Sequence, residues 1–497
     1  MRLSRRQLLA GASASMFLPR LGWADTAERL SPRALAVGDV HGKGATFWAR
    51  GRAEGTLEVE YANNPEFRHA KRIHGPLASA DTDFTARVSV KQRWHRDRVY
   101  WRARTGPMEE WMLGSFLPPS RGRNVRFAWG GDTCGQGWGI DEARGGLRIY
   151  DDIRQQKPDF LVHLGDLVYA DNPMKSEVSL ADGTTWRNLL TPEVSKVSET
   201  LDELRGRFRY NFIDDNFRAC HAEVPIVNLW DDHETRNNWW PGQVFDDPRY
   251  TLREADTLSG RARQAFREYT PIGADTIYRK IAYGPLLDLF VLDTRSYRGA
   301  NSAGRDKEYG PGAYWLGPVQ RDWVKKELAR SRAAWKIVAC DMPLGIASPD
   351  GKAAWDNACN GPGEAMGREL EIADILSHLR REGVRDVAWI TADLHYAAAT
   401  RYEPSRAVFK DFDPFWEFLA GPLHAGTFNP HALDDTFGPR CEWVSLTERI
   451  AGANPPSEGM QWYGIVEIDA ASRALTVRFH DGRGRQVHQM TVLPSPG

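Results

Sequence analysis

Five short clusters carry the residue types from which a metal centre can be built: Asp132-Thr133-Cys134, Gly165-Asp166-Leu167-Val168-Tyr169, Asp231-Asp232-His233-Glu234, Cys340-Asp341-Met342-Pro343 and Ala392-Asp393-Leu394-His395. Each follows a short apolar run and so reads as the carboxyl end of a buried strand. In open α/β sheets ligands collect beyond such strand ends. So many carboxylates cannot share one cleft unless cations offset their repulsion. The chemistry this suggests is that of a metal centre.

The elements that must position these clusters begin near Ser120. Val125 to Trp129, a helix through Leu147, Tyr150 and Ile153, and Phe160 to Leu164 set a βαβ rhythm. Buried strands then recur at Ile226 to Trp230, Leu287 to Leu292, Trp335 to Cys340 and Val387 to Thr391, which predicts an α/β domain over residues 120–497. Upstream, residues 31–119 are period-2 and β-rich: Leu57, Val59 and Tyr61 alternate with polar residues, as do Val88 and Val90. This predicts a small all-β sandwich domain. Two insertions interrupt the α/β rhythm, a mainly helical one over 172–222 and a Gly-, Pro-, Asn- and Asp-rich one over 344–368, either able to form a pocket wall or lid. Tyr463 to Asp469 and Ala474 to His480 read as a hairpin added at the edge of the main sheet.

A chain of 497 residues that is 41% hydrophobic can bury a large core, and its net charge of -1 offers no hint of a nucleic-acid or membrane-surface partner. Residues 1–24 read as a twin-arginine signal peptide, with Ser4-Arg5-Arg6-Gln7-Leu8-Leu9 followed by a mildly apolar run and a Gly22-Trp23-Ala24 cleavage-like site. The segment carries four arginines and no acid, so its removal turns the net charge from -1 into -5. No other stretch approaches the roughly 18 apolar residues of a membrane span. The expectation is a protein exported by the Tat machinery to the periplasm or beyond. The five cysteines are an odd number, so at least one stays unpaired; Cys134 is the candidate, and Cys220, Cys359 and Cys441 pack or form a disulfide.

The order D-x-C, GDxxY, DDHE, DxP, DxH resembles the binuclear metallophosphoesterases, and specifically the PhoD-like alkaline phosphatases. Its most specific stretches are Trp230 to Glu234, followed by Asn237-Asn238, and Leu292 to Arg298 (LDTRSYR). Gly38-Asp39-Val40-His41-Gly42 also looks like a metallophosphoesterase opening, but lies inside the predicted sandwich, far upstream of its expected partners, and is set aside. The resemblance implies a four-layer α/β/β/α catalytic domain preceded by the sandwich. It also implies hydrolysis of phosphate esters by a hydroxide bridging an Fe(III)–Ca(II) centre.

Carried over by motif, the ligands of the first ion are Asp132, Cys134, Asp166, Tyr169 and His395. Cysteine stands where the superfamily has histidine, and tyrosine where it often has aspartate; a thiolate and a phenolate favour Fe(III). The second ion takes Asp166 as the bridge with Asp232, Asp341 and Asp393, an all-oxygen set that selects Ca(II), with Mg(II) or Zn(II) as alternatives. His233 is the catalytic residue. Arg236, Asn238, Arg295 and Arg298 are candidates for holding phosphate oxygens or for structural ion pairs, and His163, inside its strand, reads as a core histidine. Trp138, Trp186, Trp239, Trp240 and Trp416 either pack a substrate's organic part or fill the core. Two alternatives stay open: a phospholipase D-type phosphodiesterase, and a cell-surface binding protein with a vestigial metal site.

Overall fold

The apolar runs become the strands of two large sheets in a computed structural model that describes residues 28–95, 97–450 and 452–496. The signal peptide expected over 1–24 lies outside the described residues. The first sheet has nine strands in the order Gln486–Val492, Leu475–Asp481, Trp462–Ile468, Val125–Gly130, Phe160–Leu164, Ile226–Leu229, Ala34–His41, Gly44–Arg50, Thr85–Lys91. The second has seven: Arg279–Ala282, Leu287–Val291, Trp335–Ala339, Val387–Thr391, Phe415–Leu419, Ala398–Tyr402, Pro439–Val444. Val125–Gly130, Phe160–Leu164 and Ile226–Leu229 run parallel, as do Leu287–Val291, Trp335–Ala339 and Val387–Thr391. Each trio therefore ends along one edge, and the motif carboxylates follow those ends.

Side-chain alternation along the strands sorts residues between two cores. In the second sheet Leu287, Leu289, Val291, Ile337 and Ala339 share one apolar cluster with Phe127, Trp129 and Leu161 of the first sheet. Their neighbours Phe290, Val338 and Trp389 belong to another cluster with Val324, Leu328, Ile372 and Leu376, from helices Gly317–Arg330 and Glu369–Arg381. The sheets thus share a core, and these helices cover the far face of the second.

Three strands of the region 31–119 extend the nine-stranded sheet through a single parallel pairing, Gly38 opposite Ile226. A separate four-stranded sheet packs against them, burying Leu57, Val59, Trp101 and Phe116 on Val37 and Phe47. Asp39 of the set-aside Gly-Asp-x-His-Gly sequence is engaged structurally: Arg279 donates to it from Nε at 2.9 Å and from Nη2 at 2.8 Å, tying this region to the second sheet. The C-terminal hairpin gains a third strand and pairs through Trp462–Ile468 with Val125–Gly130. There Gly464 lies under the Trp129 ring, where a Cβ would come within 2.0 Å of it, so no other residue fits. The 172–222 insertion holds helices Leu201–Asn211 and Asp215–Glu223, the first opened by a Thr200–Glu203 capping box. Residues 344–368 carry the short pairing of 349–350 with 354–355 and isolated bridges from Ile346 to Leu433 and from Trp355 to Ser302. Among the described residues no helix is long and apolar enough to cross a membrane, and all five cysteines are free, which removes a disulfide among Cys220, Cys359 and Cys441.

Candidate metal centre

The loops after the strands turn sharply, and non-glycine residues do the turning. Asp132, Cys134, Asp166, Asn238, Asp393 and His395 have φ of 71°, 61°, 52°, 55°, 69° and 60°. Each such conformation costs on the order of 1–3 kcal/mol and persists only where the surroundings over-determine it, as at ligand-binding loops. Gly165, with φ of 90°, completes the turn into Asp166; a Cβ there would come within 2.5 Å of the Asp231 side chain.

Two groups of potential ligand atoms result. One oxygen or nitrogen each from Asp132, Asp166 and His395 lie within 4.8 Å of one another, as do atoms of Asp166, Asp232 and His233. Asp166 belongs to both groups, the position of a bridging carboxylate. The Tyr169 hydroxyl joins the first, 2.9 Å from His395 Nε2 and 3.5 Å from Asp132 Oδ1. His395 Nδ1 is turned to the Gly426 carbonyl, which leaves Nε2 for the cluster.

The donor set fits cations. Asp132 Oδ2, Asp166 Oδ2, Asp232 Oδ1 and Asp393 Oδ2 are buried atoms without a hydrogen-bond partner in the protein. Orphaned carboxylate oxygens in a dry cluster are costly unless something positive meets them. Burial, and then the neighbouring carboxylates Asp232, Glu234 and Asp132, outweigh the His233 charge and hold the Asp166 carboxyl well above its ordinary range. Burial with Asp166 and Asp132 does the same to the Tyr169 phenol. A bound cation reverses the sign of these fields and favours the ionised forms.

His233 is fixed from two sides. Its Nδ1 is 2.7 Å from Asp171 Oδ1, and its ring stacks on Tyr169 with centroids 4.1 Å apart. Its Nε2 is 4.0 Å from Asp232 Oδ1. Burial alone depresses the imidazole pKa, but the carboxylates of Asp171, Asp232 and Asp166 overcome it and raise the pKa well above its ordinary value. Asp171 also accepts from the Asn237 backbone N–H at 3.0 Å. Sequence reasoning missed Asp171; its signal was its place at the end of the DFLVHLGDLVYAD run that carries Asp166. Glu234, singled out with the Asp231-Asp232-His233-Glu234 cluster but given no role there, accepts from the backbone N–H groups of Asp166, Leu167 and Asp231 and so shapes both ligand loops.

The other nominated residues belong to neither ligand group, Asp341 and Asp393 among them. Cys134 is not brought into either ligand group: its side chain belongs to the main apolar core. Burial, then Asp214, pushes its thiol pKa up. Arg295 is fully buried in ion pairs with Asp231 and Asp356, Arg298 pairs with Asp356 at 3.3 Å, and Arg236 lies 3.6 Å from Asp247. Asn238 donates its backbone N–H to Asp232 Oδ2 at 2.6 Å. His163, held neutral by burial with a pKa lowered to about 3, contacts the Thr133 hydroxyl at 3.0 Å, as a core histidine does. Trp138, Trp186 and Trp239 are buried, whereas Trp240 and Trp416 keep partial exposure.

The family model for PhoD-like phosphatase matches residues 127–479, which contain every nominated site residue. The chain belongs to the PhoD-like phosphatase family. Alkaline phosphatase D of Bacillus subtilis (strain 168) is 26% identical over 369 residues, 69% of this chain and 59% of that protein. The chain thus matches less than two thirds of that relative's length. A solved structure of PhoD has a TM-score of 0.67 at 19% identity, covering 93% of this chain and 92% of that one, which shows a shared mixed α/β fold.

Proposed function

We propose that this protein is an exported, metal-dependent hydrolase of phosphate esters, of the alkaline phosphatase and phosphodiesterase type. Its catalytic part, residues 120–497, would be a four-layer α/β/β/α unit with the β-sandwich of residues 31–119 at its side. The carrying observation is the set of four unpartnered buried carboxylate oxygens at strand ends of both sheets, those of Asp132, Asp166 and Asp232 from residues of the two ligand groups and that of Asp393 close enough to feel the charges of Asp232 and Asp132. Asp132, Asp166, Tyr169 and His395 would hold the first ion, and the phenolate among them favours Fe(III). Asp166, Asp232 and Asp393 would hold the second, an all-oxygen set suited to Ca(II). Of the two remaining motif residues, Cys134 stays in the apolar core and Asp341 has its oxygens engaged by Thr294 and Cys340. When bound, the two ions supply a nucleophile at neutral pH and neutralise the phosphoryl oxygens.

The chain's own residues supply the rest. Asp171 accepts from Nδ1 of His233, so a second proton on this imidazole resides on Nε2, the nitrogen facing the cluster. From there it can pass to the leaving oxygen of the ester. Tyr169 keeps the ring in plane by stacking, and near-complete burial of Asp132, Asp166, Asp232 and His395 excludes bulk water. The twin-arginine segment supports export, and that route, which moves folded proteins, suits a cofactor inserted beforehand. His233→Ala tests the assignment. Turnover of bis-p-nitrophenyl phosphate should fall on the order of 10² to 10⁴-fold with the metal content unchanged. Near-normal turnover contradicts it.

A further inference from the structure

Behind Asp232 the carboxylate cluster continues into a dry group centred on Arg295, whose side chain is 0% exposed. Its Nε donates to Asp231 Oδ1 at 2.6 Å, and Nη1 and Nη2 grip Asp356 at 3.0 and 2.8 Å. The same guanidinium lies 3.8 Å from Asp232 Oδ2 and 3.7 Å from Asp341 Oδ2. Asp341 is further engaged: the Thr294 hydroxyl donates to Oδ2, and Cys340 Sγ lies 3.3 Å from Oδ1. Unlike Asp232 and Asp393, Asp341 has no unpartnered oxygen.

Asp232 is divided by this arrangement. Its Oδ2 faces inward, toward Arg295 and the Asn238 N–H, while Oδ1 has no partner and lies 4.0 Å from His233 Nε2. A guanidinium suits the inner task, because it stays protonated at every working pH, and its planar fork, locked on Asp356, fixes that charge 3.8 Å from Asp232 Oδ2. A metal ion at Asp341 would stand within reach of that fixed positive charge, 3.7 Å from Asp341 Oδ2.

We propose that Arg295 is a resident cation of the cluster, and that Asp341 is a positioning residue which helps hold Arg295 against Asp232 instead of holding the second metal ion. This rests on the two-ion reading above. It confines the second ion to Asp166, Asp232 and Asp393, with Arg295 aiming Asp232 Oδ1 at it.

The test is metal analysis of the purified protein under saturating calcium. Wild type and Asp341→Asn should both hold two ions per chain, and Asp232→Asn one. A single ion in Asp341→Asn overturns the inference while leaving the two-ion reading intact. Two ions in Asp232→Asn, or fewer than two in the wild type, overturns both. Arg295→Lys keeps the charge and loses the fork, and its calcium affinity should fall about tenfold at an unchanged ion count, as for partners that orient ligands. Unchanged affinity with lowered thermal stability reduces Arg295 to a structural role and refutes the proposal. A measurement on unaltered protein gives the same decision: anomalous scattering from manganese-soaked crystals should place the second ion in bonding contact with Asp232 and Asp393. Bonding contact with Asp341 overturns it.

Discussion

Replacing Asp171 by asparagine removes one negative charge and almost no volume, beside the residue proposed to deliver the proton. Asp171 Oδ1 lies 2.7 Å from His233 Nδ1, and both side chains are buried. A hydrogen bond to a charged group contributes about 1.5–3 kcal/mol, and each 1.4 kcal/mol is a factor of ten, so kcat should fall roughly 10- to 150-fold. The pH dependence is the sharper readout. Three carboxylates hold the imidazole pKa up against burial, but bound cations at Asp232 and Asp166 neutralise two of them and leave Asp171 as the support. The acid works in its protonated form, so the alkaline limb of the kcat–pH profile should move to lower pH in Asp171→Asn, by about one to two units on the same energies. Metal content should not change. Reduced turnover with the limb unmoved would refute the role given to Asp171, and an unaltered kcat would refute the proton path as well.

Colour separates the two anionic donors nominated for the first ion. With Fe(III) bound, Tyr169→Phe should lose a phenolate charge-transfer band that Cys134→Ser keeps, because only Tyr169 reaches the ligand group; visible spectra of the reconstituted variants decide it, and bleaching in Cys134→Ser contradicts the geometry. Away from the centre, Glu417 is buried in the second sheet, accepts from the Thr391 hydroxyl at 3.0 Å, and is pushed by burial up to about 7. A raised carboxyl pKa gives stability that is full below the unfolded value and is lost as pH rises through about 7. The shift is equivalent to about 3 kcal/mol. Glu417→Gln should therefore flatten that loss, making the variant more stable than wild type in urea melts near pH 9; parallel pH dependences would refute the account.

The sequence made the strand ends legible because a buried strand read as an uninterrupted apolar run stops where a carboxylate begins, as at Leu164-Gly165-Asp166. Side-chain direction was less accessible. Asp132 and Cys134 stand two residues apart, but with both at positive φ the spacing does not dictate where each side chain points, and the Cys134 side chain enters the core. Asp171 meets His233 across 62 residues of chain, a contact made by folding and carried by no local motif. Asp341 occupies its expected strand end, yet the guanidinium it faces comes from Arg295 on a neighbouring loop, which the motif order alone left as either a phosphate clamp or an ion pair. In the same way, alternation showed that residues 31–119 form strands. That three of them continue the nine-stranded sheet depends on one pairing, Gly38 with Ile226.

The central claim is that strand-end carboxylates hold two unlike ions which act together on a phosphate ester. Its most direct test strips the purified protein with a chelator, returns iron and calcium singly and together, and follows ion count and turnover of bis-p-nitrophenyl phosphate in the same samples. The account predicts that turnover returns only when both ions are present, at two per chain. Full turnover from protein holding one ion per chain or fewer would contradict it.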